Sequence, residues 1–181
     1  MDLRKEDAKI IILSGKARSG KDTSMEIIKN YYESINKKVI CLFYASYIKE
    51  YAKNISDWDG SDETKPRTLL QVLGTDIIRN TIDKKFFINR TIEDIKVYSK
   101  FFDIIIIGDA RFPEEIDDIK NAFNDVISIH IVRKDMNILT DKEKMHITET
   151  ALDGYDKFDY EINNDGTLED LESKLKEIYK H

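Results

Sequence analysis

Nine residues near the amino end of the chain read Gly15-Lys16-Ala17-Arg18-Ser19-Gly20-Lys21-Asp22-Thr23. They match the pattern G-x-x-x-x-G-K, which binds phosphate when it joins a strand to a helix. Both flanks fit that context, because residues 8–14 are apolar and β-branched and residues 21–35 carry apolar side chains at helical spacing. The backbone N–H groups of such a loop converge on phosphate oxygens, and the helix N-terminus adds positive charge. We therefore expect these nine residues, called the phosphate-binding loop below, to bind ATP, with Lys21 reaching its β- and γ-phosphates.

One position of the phosphate-binding loop departs from its common form. Asp22 follows the lysine, where Ser or Thr usually holds Mg²⁺, and Thr23 comes one place later. A carboxylate binds Mg²⁺ directly or through water, and an anion beside phosphates needs a cation to compensate it. Asp22 is therefore our candidate metal ligand; the alternative, that it only caps the helix, stays open. Arg18 lies inside the loop and is placed to span the donor and acceptor phosphates.

The rest of the chain alternates predicted strands with predicted helices. Strands are expected at 38–44, 103–108, 126–132 and 157–163, and helices at 45–55, 66–80, 86–99, 113–123 and 168–179, with a loop at 56–66. This alternation predicts an α/β domain of three layers, in which a parallel sheet of about five strands lies between helices on both faces. Residues 133–156 are polar and weakly periodic, which favours a mobile lid over the site.

The composition limits what this domain can be. The 181 residues suit a single domain, and 41% hydrophobic against 35% charged residues is the balance of a folded globular chain. The net charge of −6 argues against a nucleic-acid partner, which needs a basic face. Cys41 is the only cysteine, so no internal disulfide can form, and a reducing, cytoplasmic location is expected. The longest aliphatic runs, 10–13 and 104–107, are too short to span a membrane, and the start at residues 1–7, charged with both signs, is unlike a signal peptide.

Arginine is rare in this chain, with seven residues against 22 lysines, so each arginine is informative. Four polar residues recur at four-residue steps on the predicted helix 66–80, namely Arg67, Gln71, Thr75 and Arg79. The apolar residues expected on the buried side of that helix are Leu69, Leu70, Leu73 and Ile77. We interpret the polar stripe, within residues 56–100, as the binding site of a phosphorylated acceptor. A solvated helix face is the alternative reading.

Further candidates follow the carboxyl ends of predicted strands, where open parallel sheets bind ligands. Asp109 and Arg111 come directly after the third strand, and Arg133 comes after the fourth. Asp109 is placed to orient a water on Mg²⁺ or to act as a base, and Arg111 to stabilise the transferring phosphoryl group. The alternative is a helix-capping aspartate beside a surface arginine. His146 and Glu149 lie in the polar segment 133–156 as candidate contacts to the acceptor.

Taken in order, these stretches resemble the phage-type deoxynucleoside monophosphate kinases. The resemblance covers nearly the whole chain, and its stretches are Leu13-Ser14-Gly15 to Lys21-Asp22-Thr23, Pro66-Arg67-Thr68-Leu69-Leu70-Gln71, Leu73-Gly74-Thr75-Asp76, Asp109-Ala110-Arg111-Phe112-Pro113-Glu114-Glu115, His146-Ile147-Thr148-Glu149 and Ile162-Asn163-Asn164-Asp165-Gly166. Many relatives have asparagine at the position of Glu114. A loop ending in Gly-Lys-Asp is shared with the animal-type phosphomevalonate kinases, whose layout is also similar.

The resemblance implies a single P-loop kinase domain over residues 1–181 that uses ATP and Mg²⁺ to convert a (deoxy)nucleoside monophosphate to the diphosphate. By position, the donor end would be served by Lys21, Arg18 and Asp22. The acceptor phosphate and the transferring group would be served by Arg67, Arg79, Arg111 and Arg133. Phosphomevalonate or dephospho-coenzyme A as acceptor, and a non-catalytic ATP-binding regulator, remain alternative functions. The sequence leaves the nucleobase preference and the choice between monomer and homodimer open.

Overall fold

The computed structural model describes residues 3–4, 7–134 and 147–179. Within these ranges one sheet is formed by β1 (Lys9–Ser14), β2 (Val39–Leu42), β3 (Ile104–Ala110), β4 (Val126–Val132) and β5 (Tyr160–Asn163). All neighbouring strands are parallel, and their order across the sheet is β2-β3-β1-β4-β5. The predicted α/β architecture with five parallel strands is therefore confirmed.

The helices connect the strands and cover both faces of the sheet. They are α1 (Lys21–Ser34), α2 (Tyr44–Ile55), α3 (Arg67–Gln71), a π-helix (Val72–Ile82), α4 (Phe86–Tyr98), α5 (Pro113–Ala122), α6 (Ile147–Thr150) and α7 (Leu168–Tyr179). Over the described ranges, no helix combines the length and the apolar character that a membrane span requires.

The alternation of side chains along β1 explains why the strands are so rich in isoleucine. Ile11 and Leu13 pack into one buried cluster together with residues of α1 and α7. Ile10 and Ile12 point to the opposite face and pack with residues of α4 and α5. A strand covered on both faces needs apolar residues at every position. Because β1 lies in the middle of the sheet, the phosphate-binding loop that follows it sits between the carboxyl ends of β3 and β4.

The segment predicted as one regular helix at 66–80 is instead α3 followed by the π-helix. Backbone bonds in a π-helix join residues five apart, as the N–H of Asp83 does with the carbonyl of Ile78 at 2.9 Å. The buried positions follow this longer spacing, because Leu73 is 7% exposed, Ile77 42% and Ile78 5%. The prediction that Ile77 is buried was wrong, since it assumed the α-helical period.

Two other boundaries bear on the site. β3 continues to Ala110, so Asp109 lies within the strand instead of after it. Part of the predicted lid at 133–156 is ordered secondary structure, because α6 begins at Ile147. Residues 135–146 of that segment lie outside the described residues.

Candidate active site

The phosphate-binding loop turns sharply between β1 and α1. Gly15, Arg18 and Gly20 have φ angles of 150°, 64° and 95°, values at which glycine meets the least steric resistance. A Cβ on Gly15 would lie 2.6 Å from the carbonyl oxygen of Ile131, so no side chain fits there. Gly20 is the N-cap of α1. Since the first N–H groups of an α-helix have no partner within the helix, the start of α1 offers donors to an anion.

Asn164, at the far edge of the sheet, holds the phosphate-binding loop in place through hydrogen bonds. This buried residue follows β5, and its own N–H donates to the carbonyl of Val132 at 2.7 Å. Its side-chain Nδ2 donates to the carbonyl of Ser19 at 2.8 Å. The shape of the phosphate-binding loop therefore depends on the turn after the last strand. Sequence reasoning did not assign Asn164 to the site, although an Asn-Asn-Asp-Gly turn directly after a strand was a usable signal.

A carboxylate contacts the first half of the loop. Glu149 Oε2 accepts the N–H of Ala17 at 2.8 Å, and Glu149 Oε1 accepts a hydrogen bond from Arg111 Nη1 at 2.6 Å. The same Nη1 also donates to the carbonyl of Gly15 at 3.3 Å. Glu149, Arg111 and the backbone of Gly15 and Ala17 are called the loop clamp below.

A cavity of about 580 Å³ opens beside the end of the phosphate-binding loop. Its positive charges come from Lys21, Lys49, Lys65, Arg79, Lys84 and Arg111. Its apolar wall includes Phe43, Ile48, Leu70, Phe87 and Ile88. Among the described residues, three acidic side chains also line it, namely those of Asp22, Asp109 and Glu115. The size suits a small organic ligand, and the combination suits one with an anionic end and an apolar end.

Arg79 reaches this cavity from the π-helix and is held there from α5. Its Nη2 donates to Glu114 Oε1 at 2.8 Å, and its guanidinium lies 3.5 Å from the ring centroid of Phe112. Glu114 also pairs with Lys84. The pKa of Glu114 is lowered overall, because hydrogen bonding and the two positive charges outweigh its burial. Glu114 thus gathers two cations on one wall of the cavity.

Asp109 joins β3 to α2. Its two carboxylate oxygens accept the N–H groups of Tyr44 at 2.8 Å and Ala45 at 2.9 Å, where α2 begins. Burial raises the pKa of Asp109, although these two hydrogen bonds act in the opposite direction. Asp109 therefore fixes the start of α2 against the sheet, in a position that also faces the cavity.

Glu115 is a second buried carboxyl in the cavity wall. Its Oε2 accepts the N–H groups of Arg111 at 2.7 Å and Phe112 at 3.1 Å, at the start of α5. Burial, together with the charge of Asp109, raises the pKa of Glu115 to about 8 against the effect of these hydrogen bonds. Sequence reasoning did not single out Glu115, whose signal was its place two residues after Pro113 at a helix start.

A family model described as deoxynucleotide monophosphate kinase matches residues 43–175. The chain belongs to this family. The matched region begins after the phosphate-binding loop, so membership in the deoxynucleotide monophosphate kinase family does not depend on that widespread motif. The region includes most residues of the cavity wall.

Two curated relatives in the deoxynucleotide monophosphate kinase family come from phages. The enzyme of Enterobacteria phage T4 is 33% identical over 120 residues, which are 66% of this chain and 47% of the relative. The enzyme of Escherichia phage RB69 is 31% identical over 135 residues, which are 74% of this chain and 50% of the relative. The chain therefore spans about half the length of the curated relatives it matches.

The fold is also found in solved structures of kinases. The APS kinase of Mycobacterium tuberculosis in complex with AMPPNP and APS has a TM-score of 0.56 at 10% identity, covering 97% of this chain and 99% of that one. At this identity the likeness concerns the fold alone. This deoxynucleotide monophosphate kinase family member therefore has the three-layer P-loop kinase fold that the sequence predicted.

The cavity brings together several of the residues predicted from sequence, which are Lys21, Asp22, Gln71, Arg79, Asp109 and Arg111. Arg18, Arg67 and Arg133 are exposed and lie outside its lining. Glu149 lies against the phosphate-binding loop in the loop clamp, and His146 lies outside the described residues. The predicted polar stripe is interrupted, because Gln71, Thr75 and Arg79 face the cavity whereas Arg67 does not.

The raised pKa of Glu115 predicts a pH-dependent stability. The folded protein binds the proton of the Glu115 carboxyl group more tightly than the unfolded chain does. The contribution of this proton to the free energy of unfolding is therefore lost as the pH rises from about 4.5 to about 8. We expect Glu115→Gln, which carries no titrating group, to remove a slope on the order of 1 kcal/mol per pH unit from the free energy of unfolding. Urea unfolding of both proteins at pH 5, 6, 7 and 8 measures this slope. Parallel curves for the two proteins would contradict the assignment.

Proposed function

We propose that this protein transfers the γ-phosphate of ATP to a deoxynucleoside monophosphate and releases the diphosphate. The observation that carries the proposal is the position of Lys21, which belongs both to the phosphate-binding loop and to the lining of the 580 Å³ cavity. A phosphate donor on the loop and an acceptor in the cavity would therefore meet at this lysine. Membership in the deoxynucleotide monophosphate kinase family supports the same acceptor.

The donor end of the proposed site is the phosphate-binding loop, residues 15–23. Its glycines, the start of α1 and Lys21 are suited to the triphosphate of ATP. Asp22 is proposed as a ligand of Mg²⁺, because its exposed carboxylate lines the cavity and its Oδ1 lies 3.0 Å from Nζ of Lys21, the group proposed to contact the phosphates. Bound Mg²⁺ would neutralise charge on the β- and γ-phosphates. Arg18 belongs to this end of the proposal as a loop residue.

The acceptor end is the cavity wall formed within residues 56–100 and the start of α5. Arg79 and Gln71 are proposed to bind the acceptor phosphate, and the apolar wall with Phe43 and Phe87 is suited to a nucleobase. The attacking phosphate oxygen is already ionised near neutral pH, so positioning and charge neutralisation suffice without a strong base. Asp109 is proposed to act mainly through the placement of α2.

Arg111 is proposed to stabilise the transferring phosphoryl group, because it lies at the end of β3 and contacts the loop. Arg133, which is exposed, and His146 stay predictions from the sequence, whereas Arg67 lies outside the cavity lining and is not part of the proposed acceptor site. The lid at 133–156 stays a prediction from the sequence; among the described residues of this segment, Glu149 of α6 contacts the phosphate-binding loop.

A panel of acceptors tests the proposed function. The purified protein is incubated with ATP, Mg²⁺ and, separately, each of the four common deoxynucleoside monophosphates, phosphomevalonate and dephospho-coenzyme A. We expect a diphosphate from at least one deoxynucleoside monophosphate and no product from the other two acceptors, with products separated by anion-exchange chromatography. Lys21→Ala serves as the negative control, since a product that is absent with this variant must be formed at this site. Product from phosphomevalonate or dephospho-coenzyme A alone would refute the acceptor, and ATP binding without any product would favour the regulator.

A further inference from the structure

The loop clamp has a geometry that fixes the guanidinium of Arg111. Glu149 uses one carboxylate oxygen for the backbone of the loop and the other for Arg111. The Glu149 side chain is only 12% exposed, so these charge-assisted contacts are largely shielded from water. With both oxygens already occupied by donors, Glu149 is poorly suited to contact an acceptor, which is the role the sequence suggested.

The segment that carries Glu149 is itself attached at several points. Asp153 pairs with Lys16 Nζ at 2.7 Å, next to the clamp. Tyr155 donates its hydroxyl to Asp117 on α5 at 2.8 Å, and Leu152 packs on the core cluster that includes α5. These attachments give Glu149 a fixed base from which to hold another side chain.

Arg111 keeps further hydrogen-bonding capacity while it is held. A guanidinium has five N–H donors in a planar fork, and in the described part of the chain its contacts to Glu149 and Gly15 both use Nη1. The side chain also lines the large cavity where Lys21 lies. An arginine fixed at one corner and open to that cavity loses little conformational entropy when an anion arrives.

We infer that Glu149 is a positioning residue, which holds Arg111 against the phosphate-binding loop so that its guanidinium meets the phosphoryl group in transfer. This inference rests on the proposed function for the role of Arg111. Glu149 acts through Arg111 and touches neither ATP nor the acceptor.

ADP with aluminium fluoride, which imitates the transferring phosphoryl group, provides a test that requires no acceptor. Calorimetry compares its affinity with that of ADP alone in the wild type, Glu149→Gln, Arg111→Ala, the double variant and Asp156→Asn. We expect Glu149→Gln and Arg111→Ala each to weaken the aluminium fluoride complex by about tenfold or more and to leave ADP binding within about twofold. The double variant should be no weaker than Arg111→Ala alone. Asp156→Asn, which removes an exposed carboxylate on the same segment and none of these attachments, should match the wild type.

The steady-state kinetics provide the second readout. Glu149→Gln should lower kcat by about tenfold or more, with the KM of the acceptor within about twofold of the wild type. A raised acceptor KM with an unchanged kcat would overturn the inference in favour of direct acceptor binding. Additive losses in the double variant would show that Glu149 does not act through Arg111. If no deoxynucleoside monophosphate is phosphorylated, the proposed function fails, while the aluminium fluoride comparison still decides the role of Glu149.

Discussion

Lys21→Ala is expected to lower kcat by about a thousandfold or more while the protein stays folded. Lys21 belongs to the phosphate-binding loop, and its side chain, 11% exposed, faces the cavity where donor and acceptor phosphates are proposed to meet. Removing a preorganised positive group from the site of charge transfer costs about a hundred- to a thousandfold in comparable cases, and this lysine also positions the donor. The measurements are kcat with saturating substrates and the melting temperature by circular dichroism.

Lys16→Ala is the matched comparison for this prediction. Lys16 belongs to the same loop, but its Nζ pairs with Asp153 instead of facing the cavity. The substitution keeps the backbone N–H, so we expect a loss in kcat below about fivefold, in line with a partly exposed ion pair. Equal losses of kcat in the two variants would contradict this prediction. They would mean that the total positive charge of the loop matters and that the particular position of Lys21 does not.

Arg79→Ala is expected to raise the KM of the acceptor by about tenfold to a hundredfold and to leave the KM of ATP within about threefold. The side chain of Arg79 is 13% exposed and is held in the cavity wall by Glu114 and Phe112. A charge-assisted hydrogen bond contributes about 1.5–3 kcal/mol, which corresponds to that range of affinity. Initial rates with the deoxynucleoside monophosphate varied at saturating ATP, and then the reverse, give the two constants.

Arg67→Ala controls for the general loss of an arginine near the proposed acceptor site. Arg67 is exposed at the start of α3 and lies outside the cavity lining. We expect its acceptor KM to change by less than about threefold. A large effect at Arg67 would restore the continuous stripe that the sequence suggested, and a loss of ATP binding in Arg79→Ala would place the π-helix at the donor end.

The sequence predicted the sheet and the phosphate-binding loop well because both depend on local patterns. An unbroken run such as Ile10–Leu13 is compatible with a strand covered on both faces, and the glycine spacing of the loop is set by backbone sterics. The π-helix was not predictable in the same way. Both Ile77 and Ile78 are apolar, so the local sequence is compatible with either spacing, and packing against neighbouring elements decides between them.

The sequence indicated which side chains belong to the site more readily than it indicated which of them contact each other. Arg111 and Glu149 were both candidates, but their contact joins residues 38 positions apart and no local pattern indicates it. Glu115 reads in the sequence as an ordinary helix-start residue. Its place in the cavity wall follows from the packing of α5 beside β3, which gives the same carboxyl both a buried setting and the charge of Asp109 as a neighbour.

The contact of Asn164 with Ser19 affects when the phosphate-binding loop takes its final shape during folding. The two residues are 145 positions apart, so this contact closes a very long stretch of chain. Contacts of such large sequence separation form late, because the entropy of closing the intervening chain must be offset first. During synthesis, the loop emerges early but can take its final shape only after β5 has left the ribosome and joined the sheet. Binding of the proposed ATP donor would therefore follow the addition of β5 to the sheet.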